Sequence, residues 1–330
     1  MEVFKWGIIG PGSIANDFAD DLKFVSRPQV ISSILSHREE SAKEFAEKHD
    51  VQEYYTDINN FIGNRNFDAV YIATPHTAHY EQALACLNAG IPVLCEKPLV
   101  INANQVQDLI QAAEKNNCFL LEGMWIRFLP SINTVLELIE KDKIGKVISI
   151  KASMSYKAPR DTDNRYFNPE LGGGSLLDLG IYPVFLSHLL LGKPSRINAT
   201  GKLSPEGVDE TCAILCSYES GGHALLESSI ITQSELSAEI AGDKGVIKIM
   251  SPWNEKPAAI KLKEYDRDEE EQLPCEWEGR GFQYQVEEVL RCLDAKQIYS
   301  NLYCHRFSLD IMKTLDEVRR QLRVHYDKFE

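Results

Sequence analysis

The stretch Gly7-Ile8-Ile9-Gly10-Pro11-Gly12-Ser13-Ile14-Ala15 follows an apolar run at residues 3–9 and opens a helical pattern. It spells Gly10-x-Gly12-x-x-Ala15, and a second strand-like run at 30–35 comes about 20 residues later. A glycine triplet alone says little, because turns are rich in glycine. The strand before it and the helix after it give it meaning. Gly10 permits a tight turn, Gly12 lets the backbone approach a pyrophosphate, and Ala15 lets the helix pack closely on the strand. The pyrophosphate would rest on the first amides of that helix, at Ser13 and Ile14. An ordinary strand-to-helix turn is the alternative.

Outward from this stretch, short apolar runs at 3–9, 30–35, 69–74, 93–96 and 119–122 alternate with amphipathic stretches at 41–48, 80–89 and 104–115. Nearly continuous apolar strands between helices indicate a parallel sheet covered on both faces, and so a doubly wound α/β domain over 1–124. After Pro130 the pattern changes. A helix at 132–141 leads to a strand at 147–156, a loop rich in charge and glycine, and a helix at 175–190. Strands at 211–218, 224–232, 237–240 and 245–250 follow, with Ser220-Gly221-Gly222 and Gly242-Asp243-Lys244-Gly245 as hairpin-type turns. Helices return at 283–294 and 308–323. This order predicts an α+β domain over 125–330 with a largely antiparallel open sheet. The acidic run 266–271 reads as a solvated loop.

Composition narrows the function. The chain has 330 residues, 44% hydrophobic and 25% charged, which excludes global disorder. Thirty-five basic against 49 acidic residues leave a net charge of −14. Such a surface repels phosphate backbones and anionic lipid, so neither nucleic acid nor membrane is an expected partner. No apolar run is expected to reach the roughly 18 to 20 residues of a membrane span. No signal peptide is expected from the layout of the first residues, which run straight into an apolar strand-like stretch. The eight cysteines are scattered without a Cys-x-x-Cys pair, and they read as reduced thiols of a cytoplasmic protein with no metal site. Cys212 and Cys216, the nearest pair, lie in what looks like a buried strand.

The second strand ends Leu35-Ser36-His37-Arg38, with no Asp or Glu where a ribose diol would be held. Hydroxyl, imidazole and guanidinium suit a 2′-phosphate better, so NADP is expected, with NAD the alternative. Arg38 is otherwise a plain exposed residue at a helix start, followed by Glu39 and Glu40.

Two further motifs lie after strands: Ala73-Thr74-Pro75-His76-Thr77-Ala78-His79 and Cys95-Glu96-Lys97-Pro98. Together with the N-terminal turn they resemble the glucose–fructose oxidoreductase, inositol dehydrogenase and MocA (Gfo/Idh/MocA) family over essentially the whole chain. Glu122-Gly123-Met124-Trp125-Ile126-Arg127-Phe128-Leu129-Pro130 and the run Gly172-Gly173-Gly174-Ser175 to Tyr182 are similar to its branch of dimeric trans-dihydrodiol dehydrogenases and NADP-dependent D-xylose dehydrogenases. The resemblance implies a Rossmann domain followed by an α+β substrate domain, and hydride transfer at a sugar or diol hydroxyl.

It also implies roles. Lys97, beyond the carboxyl end of a parallel strand, can polarise a substrate oxygen and stabilise developing negative charge. Pro98 restricts its backbone. Asp178 and Tyr182, four apart on one expected helix, share a face. Tyr182 stands where many relatives carry histidine and is implied as the proton-transfer group, with Asp178 orienting substrate or pairing with lysine. A tyrosine's reference pKa of about 10 needs a neighbouring cation to bring it down. A half-buried core aromatic is the other reading of Tyr182. Thr74, His76, His79, Glu96 and Lys97 are expected at the cofactor, although a lone histidine such as His79 is often structural. Trp125 and Arg127 are expected either as a pocket wall or as core, and Arg160 and Arg165 as contacts to substrate hydroxyls.

The expected protein is therefore an NADP-dependent oxidoreductase for a small polyhydroxylated substrate held between two domains. It is expected to be a homodimer through the second domain's sheet, since an open apolar face needs a cover. Two rivals remain: tightly held NAD(P) used for transient oxidation in a glycosidase-like cycle, and a cofactor-sensing regulator without catalysis. Retention of Lys97, Asp178 and Tyr182 speaks against the sensor.

Overall fold

Six strands pair in parallel in the N-terminal sheet: β1 (Phe4–Ile9), β2 (Gln29–Leu35), β3 (Glu53–Tyr55), β4 (Ala69–Ile72), β5 (Val93–Glu96) and β6 (Leu120–Gly123). Their order is β3-β2-β1-β4-β5-β6 in a computed structural model that describes residues 2–160 and 165–330. The order reverses between β1 and β4, and ligands of such sheets bind beyond the carboxyl ends of the strands at that point. β4, β5 and β6 are buried at every residue, which explains their unbroken apolar runs. Helices α1 (Ser13–Asp21), α2 (Glu39–Lys48), α3 (Ile58–Gly63), α4 (His76–Asn88) and α5 (Ala103–Lys115) fill the crossovers. The sequence missed β3 because it is a three-residue strand at the sheet edge, none of it fully buried. It also began α4 four residues late, at 80 instead of 76, because Pro75 rather than a polar cap precedes the first turn.

The second sheet has eight strands: β7 (Val147–Ser155), β8 (Arg196–Leu203), β9 (Asp209–Ser217), β10 (His223–Ser229), β11 (Ala238–Gly242), β12 (Gly245–Ile249), β13 (Ile260–Glu264) and β14 (Glu271–Leu273). They lie in the order β14-β13-β12-β11-β7-β10-β9-β8, antiparallel except for the parallel pair β7–β10. Helix α6 (Pro130–Glu140) precedes this sheet, and α7 (Ile181–Leu191) packs on β7 and β10. Ile150, Ala152, Ile214, Leu226 and Ile240 form the buried face; alternate positions such as Leu215 and Leu225 are exposed on the other. β8 was illegible in the sequence because Arg-Ile-Asn-Ala-Thr-Gly-Lys-Leu lies at an edge with no fully buried residue. β13 and the short β14 were also unread.

Two expectations are corrected here. The helical run Pro169–Leu191 is apolar and long enough to cross a membrane, but 83% of its apolar window is buried within the protein, as in a core helix. The expected helix at 175–190 also begins as a π-helical turn, Leu176–Gly180, before α7 starts. Pro183 has no amide hydrogen for the carbonyl four residues back, so regular hydrogen bonding is broken where Asp178 and Tyr182 lie.

The chain divides into two units. The first is Met1–Val100, Asn104–Phe128 and Trp277–Ser308; the second is Ile101–Ala103, Leu129–Glu276 and Leu309–Glu330. The chain passes from the first unit to the second at 128/129, four residues beyond the boundary expected at 124/125, but 101–103 already belong to the second unit and 277–308 return to the first. Helix α8 (Phe282–Asp294) lies in the returning segment, and α9 (His305–Leu322) begins there. Long-range capping explains the return. The Asp21 carboxylate at the end of α1 accepts the amides of Arg280, Gly281 and Phe282 at 2.8–3.1 Å. The Phe282 ring stacks on Trp125 at 5.0 Å.

Candidate active site

At the carboxyl end of β1 the chain turns through Gly10, whose φ is +95° and whose amide donates to the Leu35 carbonyl at 2.9 Å. A Cβ at Gly10 would lie 2.9 Å from the Thr74 amide nitrogen, so only glycine fits. At Gly12 a Cβ would meet nothing nearer than the Ala73 oxygen at 3.9 Å, which leaves that backbone open to a ligand. Ala15 is fully buried, in keeping with close helix–strand packing.

A cavity of about 800 Å³ lies beyond this turn, lined by Gly10, Gly12, Ser36, His37, Arg38 and Thr74 among the expected cofactor residues. Its size, the open glycine backbone and the helix start fit a dinucleotide. Asn16, Ser41, Lys48 and Gln82 also line it and were not foreseen. The Asn16 side chain donates to the Gly12 carbonyl at 2.9 Å and accepts from Lys48 at 2.6 Å, so Lys48 is drawn in by a residue one turn along α1. The Ser36 hydroxyl accepts the Arg38 amide at 3.2 Å. Of the carboxylates in the lining, Asp57 caps α3 through the Asn60 amide at 2.9 Å, while Glu44 and Glu81 offset part of the positive charge. Ser13, Ile14, His76, His79, Glu96 and Lys97 do not line this cavity.

The backbone of Lys97-Pro98-Leu99 leaves the end of β5, with a cis bond between Lys97 and Pro98. Three side chains hold it. Glu96 accepts the Lys97 amide at 3.2 Å and the Tyr71 hydroxyl at 2.7 Å. His79 meets the Pro98 carbonyl at 3.0 Å through one ring nitrogen and the Thr74 carbonyl at 2.9 Å through the other. Glu122 accepts the Leu99 amide at 2.9 Å on one oxygen and the Tyr303 hydroxyl at 3.0 Å on the other.

Burial pushes the Glu96 carboxyl up to about 7, against the pull of the Tyr71 hydroxyl and the Lys97 charge. Burial likewise raises Glu122, opposed by hydrogen bonds from Ser308, Leu99 and Tyr303 and by Lys97. His79 is 1% exposed and lowered by burial, so it ties two loops together instead of facing a ligand. That departs from the cofactor contact expected of it. Trp125 and Arg127 are core residues of the first unit. Trp125 stacks on Phe282, and Arg127, 7% exposed, donates through Nε to the Leu302 carbonyl at 3.0 Å.

In the second unit Asp178 and Tyr182 are both buried, at 7% exposure. Arg165 reaches both oxygens of Asp178 at 3.3 Å and donates to the Tyr166 hydroxyl at 3.1 Å. Arg165 is therefore an ion-pair partner of Asp178. Arg160 pairs with Glu210 and, at 3.6 Å, with Glu206, and lies over the Phe167 ring. Asp209, which the sequence did not single out, accepts the Ser175 hydroxyl and the Leu176 amide, each at 2.7 Å, and so anchors the turn carrying Asp178. No metal-binding cluster of His, Cys, Asp and Glu occurs among the described residues.

Comparison with known proteins matches residues 4–124 to an oxidoreductase family with an NAD-binding Rossmann fold, and residues 132–248 to the Gfo/Idh/MocA C-terminal domain. The trans-1,2-dihydrobenzene-1,2-diol dehydrogenase of Xenopus tropicalis is 34% identical over 98% of this chain and 99% of its own. Among solved structures, the aldose-aldose oxidoreductase of Caulobacter crescentus, complexed with glycerol, superposes with a TM-score of 0.88 at 20% identity over 98% of both chains. A 3-ketoreductase from Actinomadura kijaniata, in complex with NADP and TDP-benzene, gives 0.85 at 24% identity over 97% of this chain and 98% of that one.

Proposed function

The chain belongs to the Gfo/Idh/MocA oxidoreductase family, and we propose that it is an NADP-dependent dehydrogenase moving hydride between the nicotinamide and a hydroxyl-bearing carbon of a sugar or vicinal diol. The observation that carries this reading is the held backbone of Lys97 at the end of β5, in the same sheet edge as the Gly10–Gly12 turn and its cavity. A dinucleotide cavity alone would suit a sensor; a lysine loop fixed by two buried carboxylates suits catalysis. The name of the Xenopus relative points to a cyclic diol, and that of the Caulobacter structure to aldoses.

When bound, the nicotinamide supplies the hydride acceptor or donor. Arg38 and Ser36 would hold a 2′-phosphate at the end of β2, where residues 35–38 include no carboxylate to repel it. The Gly12 backbone and the start of α1 would take the pyrophosphate. The Lys97 ammonium binds the substrate oxygen and stabilises the charge that grows on it as its proton leaves. Tyr182 is the proposed acceptor of that proton during oxidation and its donor during reduction. Asp178, neutralised by Arg165, orients a second hydroxyl.

We also propose a homodimer through the open face of the second sheet, where Leu215 and Leu225 are cross-strand partners, 40% and 45% exposed. Eight free cysteines fit a reducing cytoplasm. The function is tested by offering aldoses, inositols and vicinal diols with NADP and with NAD. Reduction of NADP by one of these classes is expected. A protein that binds NADP and turns over none of them overturns the proposal.

A further inference from the structure

The Lys97 loop needs three backbone contacts, and one comes from a group whose charge that task does not require. Glu122 is 3% exposed on β6, which is hydrogen-bonded to β5. Its oxygens accept the Leu99 amide at 2.9 Å and the Tyr303 hydroxyl at 3.0 Å, and the Ser308 hydroxyl also bonds the carboxylate. A glutamine could accept the same amide without the cost of burying a carboxylate, several kcal/mol in a dry interior. The Lys97 charge stabilises the ionised form of Glu122, so the attraction acts in both directions. Glu96 provides a second such carboxylate at the same lysine.

We propose that Glu122 is a positioning residue for Lys97: it fixes the lysine's backbone through the Leu99 amide and its ammonium through charge, while Tyr303 holds the far oxygen in place. This rests on the reading of Lys97 as the group that binds the substrate oxygen. Tyr303, fully enclosed, is pushed well above the usual phenol range by burial and by Glu122 itself, so it stays a neutral donor. The arrangement joins β5, β6 and the segment before α9, all within the first unit.

The test compares Glu122→Gln, Tyr303→Phe, Lys97→Met and the Glu122→Gln/Lys97→Met double variant. Each is measured for melting temperature, NADPH affinity by fluorescence, and kcat and KM with the best substrate of the panel. Glu122→Gln is expected to lower kcat by about tenfold or more, with KM, NADPH affinity and melting temperature near the parent's. In the Lys97→Met background the same change should cost almost nothing further, since the group it serves is gone. An unchanged kcat in folded Glu122→Gln, or an equal loss in both backgrounds, overturns the inference while Lys97 keeps its role. A Lys97→Met protein as active as the parent refutes the functional reading instead. If Glu122→Gln fails to fold, Tyr303→Phe decides: a severalfold fall in kcat at constant KM supports the inference, and parent-like kcat overturns it.

Discussion

Replacing Asp21 with alanine should loosen the first unit by several kcal/mol although the residue lies at the end of a short helix. Its carboxylate accepts three successive amides at the start of α8: Arg280 at 2.9 and 3.1 Å, Gly281 at 2.8 Å and Phe282 at 3.0 Å. The Gly281 and Phe282 bonds are buried, and Asp21 is only 3% exposed. An orphaned buried donor costs about 1–3 kcal/mol, and the partly exposed Arg280 amide can turn to water, so the two buried amides give a loss of about 2–6 kcal/mol. Asp21→Asn keeps one acceptor oxygen and should lose about half as much. The Arg280–Asp17 ion pair at 3.2 Å remains in either variant, but it is exposed and contributes little. Urea unfolding followed by tryptophan emission is the assay, because Trp125 stacks on Phe282 at the first residue of α8. The transition that reports Trp125 should move to lower urea. A loss under about 1 kcal/mol in Asp21→Ala would refute the view that this cap secures the returning segment.

Other consequences are as direct. Arg38→Ala should weaken NADP by about 1 kcal/mol or more while leaving NAD unaffected, read by fluorescence titration at low salt; an equal effect on both nucleotides would remove Arg38 from the 2′-phosphate. Burial lowers His188 to about 4, with the Asp310 charge opposing and Lys193 assisting. The folded state therefore binds fewer protons than the unfolded one between pH 4 and 6.5, and stability is lost as pH falls through that window, by roughly 3 kcal/mol. His188→Gln should lack this part of the acid sensitivity in pH-dependent melting, with Asp209, raised by burial to about 6, common to both proteins. Leu225→Glu on the open sheet face should convert a dimer to monomers in sedimentation without altering the melting of the second unit.

The parallel sheet was legible because β4, β5 and β6 are buried on both faces, and burial writes itself as an unbroken apolar run. Edge strands carry no such mark: β3 and β8 include no fully buried residue, and their polar letters read as loop. The dinucleotide turn was legible because its chemistry lies in consecutive residues whose spacing the turn itself imposes. The grip on Lys97 was not, because Glu122 is 23 residues from Leu99 and 181 from Tyr303, a proximity only the folded sheet creates. The ion pair of Arg165 with Asp178 was not legible either, because the fold brings together residues 13 apart through an irregular loop. For His79 the sequence left cofactor contact and a structural role both open, since nothing local shows that both its nitrogens meet carbonyls.

In the proposed reaction hydride leaves a hydroxyl-bearing carbon for a nicotinamide that is then released, with Lys97 holding the oxygen. The most direct measurement uses the best substrate of the panel deuterated at that carbon, with NADP in excess, and follows the label by mass spectrometry. Deuterium is expected in the released reduced nucleotide, in proportion to oxidised product, and at a rate about 100-fold lower with Lys97→Met. Label retained in a rearranged or hydrolysed product, with no reduced nucleotide in bulk, would contradict the account and identify the transient oxidation of a tightly held cofactor in its place.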